Sequence, residues 1–189
     1  MRPSIVATAA IALLPFGASA ATLSVSTLPI GFYGATTAVV PEATLTSFGN
    51  DFYFNGAYND PGSFCAISFG SCEADLQISF VGSVSNLIFD VGGWNDGDLV
   101  TLNIFGAANA LLGSVSITSD LIGLNLTSFG PITRLFFDDS STGAGVGYAN
   151  FSFTQVASVP LPATLPLLAG ALGAAFVARR KAEGGAPMN

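Results

Sequence analysis

The stretch ADLQISFVGSVSNLIFDVGG, Ala74 to Gly93, decides how the chain folds. Leu76, Ile78 and Phe80 alternate with small or polar residues, and so do Leu87, Phe89 and Val91. The pattern returns in LVTLNIFGA, Leu99 to Ala107, at Val100, Leu102 and Ile104. Period two gives each segment one buried and one wet face, the signature of antiparallel strands. Between Ala21 and Val156 no 3.6-residue periodicity is sustained, and the alternating runs recur every ten or twelve residues. Residues that tolerate positive φ punctuate them: Asp96-Gly97, Ala108-Asn109, and the run from Ser141 to Gly147. Such spacing predicts an all-β fold, an antiparallel β-sandwich.

Residues 21–158 form one domain-sized segment, able to bury a proper core, to which most of the sixteen Phe of the chain contribute. That segment has eleven acids and a single base, Arg134, so its net charge is near −10. Repulsion excludes nucleic acid and anionic membrane surfaces as partners, and leaves neutral glycans and divalent cations open. The chain contains no His, and no Lys precedes Lys181. Ser-His-Asp triads, Cys-His pairs, a Ser-Lys dyad within the domain and His-ligated zinc each lack an essential member. Only carboxylate chemistry survives, with Asp138, Asp139, Asp90 and Glu73 as candidate acids and bases. Glycosidases need such a pair about 5–9 Å apart. Asp138 and Asp139, adjacent on a strand, should face opposite ways, so the expectation is a protein that is not an enzyme.

The two ends carry addresses. MRPSIVATAAIALLPFGASA has a cation at Arg2, an apolar stretch from Ile5 to Leu14 and a small-residue site at Ala18-Ser19-Ala20, the order of a secretory signal peptide over residues 1–20. Val159 to Ala178 runs without a charge and meets Arg179, Arg180 and Lys181. About 30 Å of apolar helix would span a bilayer, with the basic end cytoplasmic. Pro160, Pro162 and Pro166 restrict helix to Leu167–Ala178. A cytoplasmic tail covers residues 182–189. In an exported domain Cys65 and Cys72, an even pair in FCAISFGSC, read as a disulfide rather than a thiolate metal site.

Val159-Pro160-Leu161-Pro162-Ala163, an apolar segment and then Arg179-Arg180-Lys181 resemble the VPLPA-type C-terminal sorting domain, a variant of the PEP-CTERM signals. The resemblance covers residues 159–181 and implies export through the secretion machinery and signal peptidase. It further implies processing by an exosortase- or archaeosortase-type membrane protease of a Gram-negative bacterium that makes extracellular polysaccharide. The protein would pass through the inner membrane and end at the cell surface or outside it. A second resemblance runs from Asp75 to Phe153, which look like the C-terminal half of jelly-roll, lectin-like domains. In those domains a polar pair precedes the last strand; Ala149-Asn150 stands there, with Ala at one polar place.

Two acidic loops are candidate ligands for a hard cation such as calcium, which wants six to eight oxygens: Asn95, Asp96 and Asp98 in one, Asp138 and Asp139 in the other. Their bland reading is solvated turn carboxylates, and no cofactor is required. Trp94 and Tyr148 are candidates for stacking on a sugar ring, against the alternative that Trp94 caps the core; Tyr33, Tyr53 and Tyr58 lie elsewhere. Together these readings give an exported, C-terminally sorted surface or matrix protein. Its β-sandwich is expected to bind glycan or extracellular polysaccharide, or to serve structurally in an extracellular polymer layer, without catalysis; the competing reading is a secreted carboxylate-dependent polysaccharide hydrolase.

Overall fold

A computed structural model of the chain describes residues 18–57, 62–142 and 144–156. Twelve strands and three 3-10 turns make up its regular structure, with no α-helix among the described residues. In chain order the strands are β1 (Ser19–Thr22), β2 (Gly31–Phe32), β3 (Thr37–Val40), β4 (Ala43–Ser47), β5 (Asp51–Phe54) and β6 (Phe64–Ile67). They continue as β7 (Leu76–Gly92), β8 (Val100–Phe105), β9 (Leu111–Ile117), β10 (Leu121–Asn125), β11 (Ile132–Asp139) and β12 (Gly147–Val156). All belong to one antiparallel sheet whose main path is β2-β5-β6-β12-β7-β11-β8-β9. The chain is therefore all-β, as the alternation implied. Among the described residues no helix is long and apolar enough to cross a membrane. Residues 1–17, the sorting motif at 159–163, the apolar segment and the basic cluster at 179–181 lie outside the described residues.

The opening stretch departs from expectation in one respect. ADLQISFVG and SNLIFDVGG are not two strands but one, the 17-residue β7. Its alternation holds in both halves: Leu76, Ile78 and Phe80 are buried, and so are Leu87, Phe89 and Val91. The halves have different neighbours. Leu76 to Phe80 pairs with β4 and β11, whereas Ser83 to Gly92 pairs with β12 and, near its end, with β10, and β11 reaches past Gly82 only at Ile132 opposite Val84. Gly82 stands between them at φ +84°, a conformation costly to any residue with a Cβ. Opposite β12 the strand also carries a bulge at Asn86, whose φ is +53°.

Aromatic side chains of β7, β11 and β12 close the core, one of their contacts joining strands that do not pair. Phe137 on β11 meets Tyr148 on β12 at 4.3 Å between ring centroids and Phe89 on β7 at 5.8 Å. Phe89 stacks on Phe151 at 4.6 Å and 3°. Each such ring buries a large apolar area and adds roughly 0.5–1.5 kcal/mol of ring-ring preference beyond it.

Two hairpins show how the turn residues are used. Ala108 and Asn109 both take positive φ, 53° and 62°, and the Gly106 N–H closes the turn on the Ala110 carbonyl at 2.9 Å. Arg134 holds that hairpin: its guanidinium lies 3.6 Å over the Phe105 ring and donates to Asn109 Oδ1 and Gln77 Oε1. The second hairpin follows β6. Ser68 and Ser71 exchange backbone hydrogen bonds of 2.9 and 3.0 Å across Phe69 and Gly70, and the expected Cys65–Cys72 disulfide, with Cα atoms 5.4 Å apart, staples its base. Closing so short a loop stabilises by about 2.5 kcal/mol in the chain-entropy account.

Candidate functional site

In a domain with one base, most carboxylates find their partners in the backbone. Glu42 accepts from the N–H and hydroxyl of Ser24, and Asp51 accepts from the N–H groups of Gly34 and Ala35. Ionised oxygens favour such donors, which fix loops without a Lys or Arg. Two further acids do the same work beside a surface depression.

That depression, about 320 Å³, lies where β10, β7 and β12 run side by side. Asp90, Gly92, Asp120, Ile122, Gly147 and Ala149 line it. Alternation places Asp90 and Gly92 on the face of β7 opposite the buried Phe89 and Val91. Asp90 faces Ala149 in register and Gly92 faces Gly147, so side chains too small to fill the space make its floor. Asp90 is pinned at both oxygens, by the Gly123 N–H at 2.6 Å and by the Asn150 side-chain amide at 2.8 Å. Asp120 accepts the Trp94 N–H at 2.9 Å through one oxygen. Ile122 is 94% exposed and supplies an apolar wall. The site thus offers an Asp120 oxygen not committed to Trp94 and an apolar surface, beside an Asp90 carboxylate held by its two donors.

The residues anticipated for sugar stacking fare differently. Tyr148 is 2% exposed and its ring sits among Phe64 and Phe137, so it presents no face to a ligand. Trp94 packs against the core and is only partly exposed, in keeping with a capping role. The exposed aromatics are others. Phe48, 58% exposed, forms an edge-to-face pair with Phe136, Phe32 does so with Tyr53, and Phe69 is fully exposed. None of these was marked by turn or loop chemistry in the sequence. Tyr58 lies outside the described residues. Ala149 and Asn150 do not precede the last strand but lie within β12, where Asn150 at φ +55° forms a bulge.

The two acidic loops do come together. The Ser140 N–H bonds the Leu99 carbonyl at 2.9 Å, and Ser141 Oγ accepts the Leu99 N–H at 3.2 Å. The five anticipated residues divide by direction. Asn95, Asp96 and Asp138 are exposed, whereas Asp98 is buried and Asp139 is half-buried on the Leu135–Phe137 side of β11. Asp138 and Asp139 thus face opposite ways, as strand geometry requires. Among the described residues no three acidic or thiol groups converge as a ready-made metal cluster. Asp98 Oδ2 accepts the Asn95 N–H at 2.7 Å, and Asp75 Oδ1 accepts the Asp139 N–H at 2.9 Å. Burial pushes the Asp139 carboxyl above the usual Asp range; the hydrogen bonds from Ser141 pull the other way, and the charges of Asp98 and Asp75 add to the rise.

No protein-family model matches the chain, and comparison with curated proteins finds no relative.

Proposed function

We propose that this is an exported, C-terminally sorted surface or matrix protein whose sheet folds on itself at Gly82 into a two-layered sandwich. Its depression beside Asp90 and Asp120 would bind a neutral glycan without chemistry. The layering is supported by the change of neighbours along β7 and by the Phe137–Tyr148 contact between strands that do not pair. The export reading rests on the two terminal signals and on the disulfide, which persists in oxidising compartments.

The observation that carries the binding reading is the combination in one groove of Asp120, with an oxygen not committed to Trp94, and the bare Ile122 side chain. A carboxylate accepts sugar hydroxyls, and an aliphatic wall covers the ring's C–H face. The net charge of the domain favours a neutral polymer over an anionic one. The test is retention of the detergent-solubilised full chain on an insoluble neutral polysaccharide. Asp120→Ala and Ile122→Ala should each release it, and retention unaffected by both would remove the groove from the account.

A second reading is favoured by the same two carboxylates, since a hydrolase needs a pair. Against it, both oxygens of Asp90 are already engaged by Gly123 and Asn150. Release of reducing sugar that disappears in Asp90→Asn or Asp120→Asn would establish the hydrolase.

A further inference from the structure

Asp98 is 6% exposed, and its Oδ1 is buried with no hydrogen-bond partner. An ionised carboxylate left in that state is strongly disfavoured unless a positive charge meets it. The one base of the domain cannot do so, because Arg134 is committed to Phe105, Asn109 and Gln77. A second acid lies beside it. Asp139 pairs in register with Val100, and the Ser140 N–H bonds the Leu99 carbonyl beyond that pair, which brings Asp98 near enough for its charge to act on Asp139. Asp75, hydrogen-bonded to the Asp139 backbone, adds a third negative charge and no positive one.

We infer that Asp98 Oδ1 and the Asp139 carboxylate hold one hard divalent cation, calcium-like in its demand for oxygen, at the end of the core. Main-chain carbonyls and water would complete the shell, since two carboxylates supply too few oxygens for such an ion. Asp96 and Asp138, exposed on the same loops, take no part. The number of charged ligands places the affinity with the weak, extracellular class of calcium sites, roughly 0.1–1 mM.

The test follows thermal unfolding of the full chain at neutral pH in chelator, in millimolar calcium chloride and in magnesium chloride. Terbium provides a second readout, because Trp94, the only Trp of the chain, adjoins Asn95, whose N–H bonds Asp98. Calcium should raise the wild-type midpoint by about 5 °C, saturably, and magnesium by less. Trp-sensitised terbium emission should appear and be displaced by calcium. Asp98→Asn should lose both responses yet unfold in chelator no earlier than wild type, because it discards an uncompensated buried charge. That opposite movement separates a cation site from simple structural damage. Should Asp98→Asn not fold, Asp139→Asn carries the same expectation. An unmoved wild-type midpoint without terbium emission would overturn the inference, and so would a calcium response kept in both variants or lost in Asp96→Asn.

Discussion

Asp75 Oδ1 accepts the backbone N–H of Asp139 at 2.9 Å, so one carboxylate fixes the strand end that turns another inward. The pair has a consequence for pH. Burial, with the charges of Asp98 and Asp75, keeps Asp139 protonated to a higher pH in the folded protein than in the unfolded chain. The native state then binds more protons in the window just above the ordinary Asp pKa, and stability falls as pH rises through it. In chelator, denaturant midpoints should decline as pH rises above about 4, the ordinary Asp range. Asp139→Asn, which keeps an oxygen for the Ser141 N–H, should flatten that decline and exceed wild type at neutral pH.

The disulfide should matter more than its exposed hairpin suggests. Cys65 is fully buried beneath Ala57 and Ile67. Replacing both cysteines by Ala should lower the unfolding free energy by about 2.5 kcal/mol, read as a shift in denaturant midpoint with little change in slope. An unchanged midpoint would mean that the loop is equally restricted without the bond.

Phe69 occupies the first turn position of that hairpin at φ +50° with its ring wholly in solvent. A bulky residue there is strained and gains no burial in return, whereas Asn suits the conformation. Phe69→Asn should therefore stabilise the domain, by about 0.5–1 kcal/mol in the same denaturant measurement. A loss of stability instead would show that the ring is covered.

The terminal signals make a prediction about mass. Protein recovered from the medium of native cells should lack residues before Ala21 and should be shortened at its C-terminus, and Pro160→Ala with Pro162→Ala should abolish only the second loss. Ser19 and Ala20 pair with Gln155 and Thr154 in β1, so cleavage after Ala20 would leave that strand only Ala21 and Thr22. A full-length C-terminus retained in the membrane fraction would contradict processing.

How much of this could be read from the sequence varies by residue. Leu76, Ile78 and Phe80 announced their strand because nothing interrupts the period, and Asp138 and Asp139 were separated for the same reason. Tyr148 was misread because a bulge hides the phase: Tyr148 and Phe151 are both buried although three residues apart, and Asn150 absorbs the odd step. A similar bulge at Asn86 puts Val84 and Leu87 on one face and masks the continuity of β7. The groove was illegible since Asp90 and Asp120 lie thirty positions apart and meet only through the pairing of β10 with β7. The buried state of Asp98 was equally hidden, because NDGD reads as an ordinary wet turn.

The glycan site we propose is the β10–β7–β12 groove rather than the exposed Phe48–Phe136 pair. The most direct measurement is a calorimetric titration of the full chain with a soluble neutral polysaccharide, with product sugar assayed in the same cell. Wild type and Phe48→Ala should give the same saturable heat and no product, while Asp120→Ala should weaken binding at least about tenfold, the loss of one charge-assisted hydrogen bond. Binding lost in Phe48→Ala and kept in Asp120→Ala would place the site at the Phe48–Phe136 pair and rule out the groove.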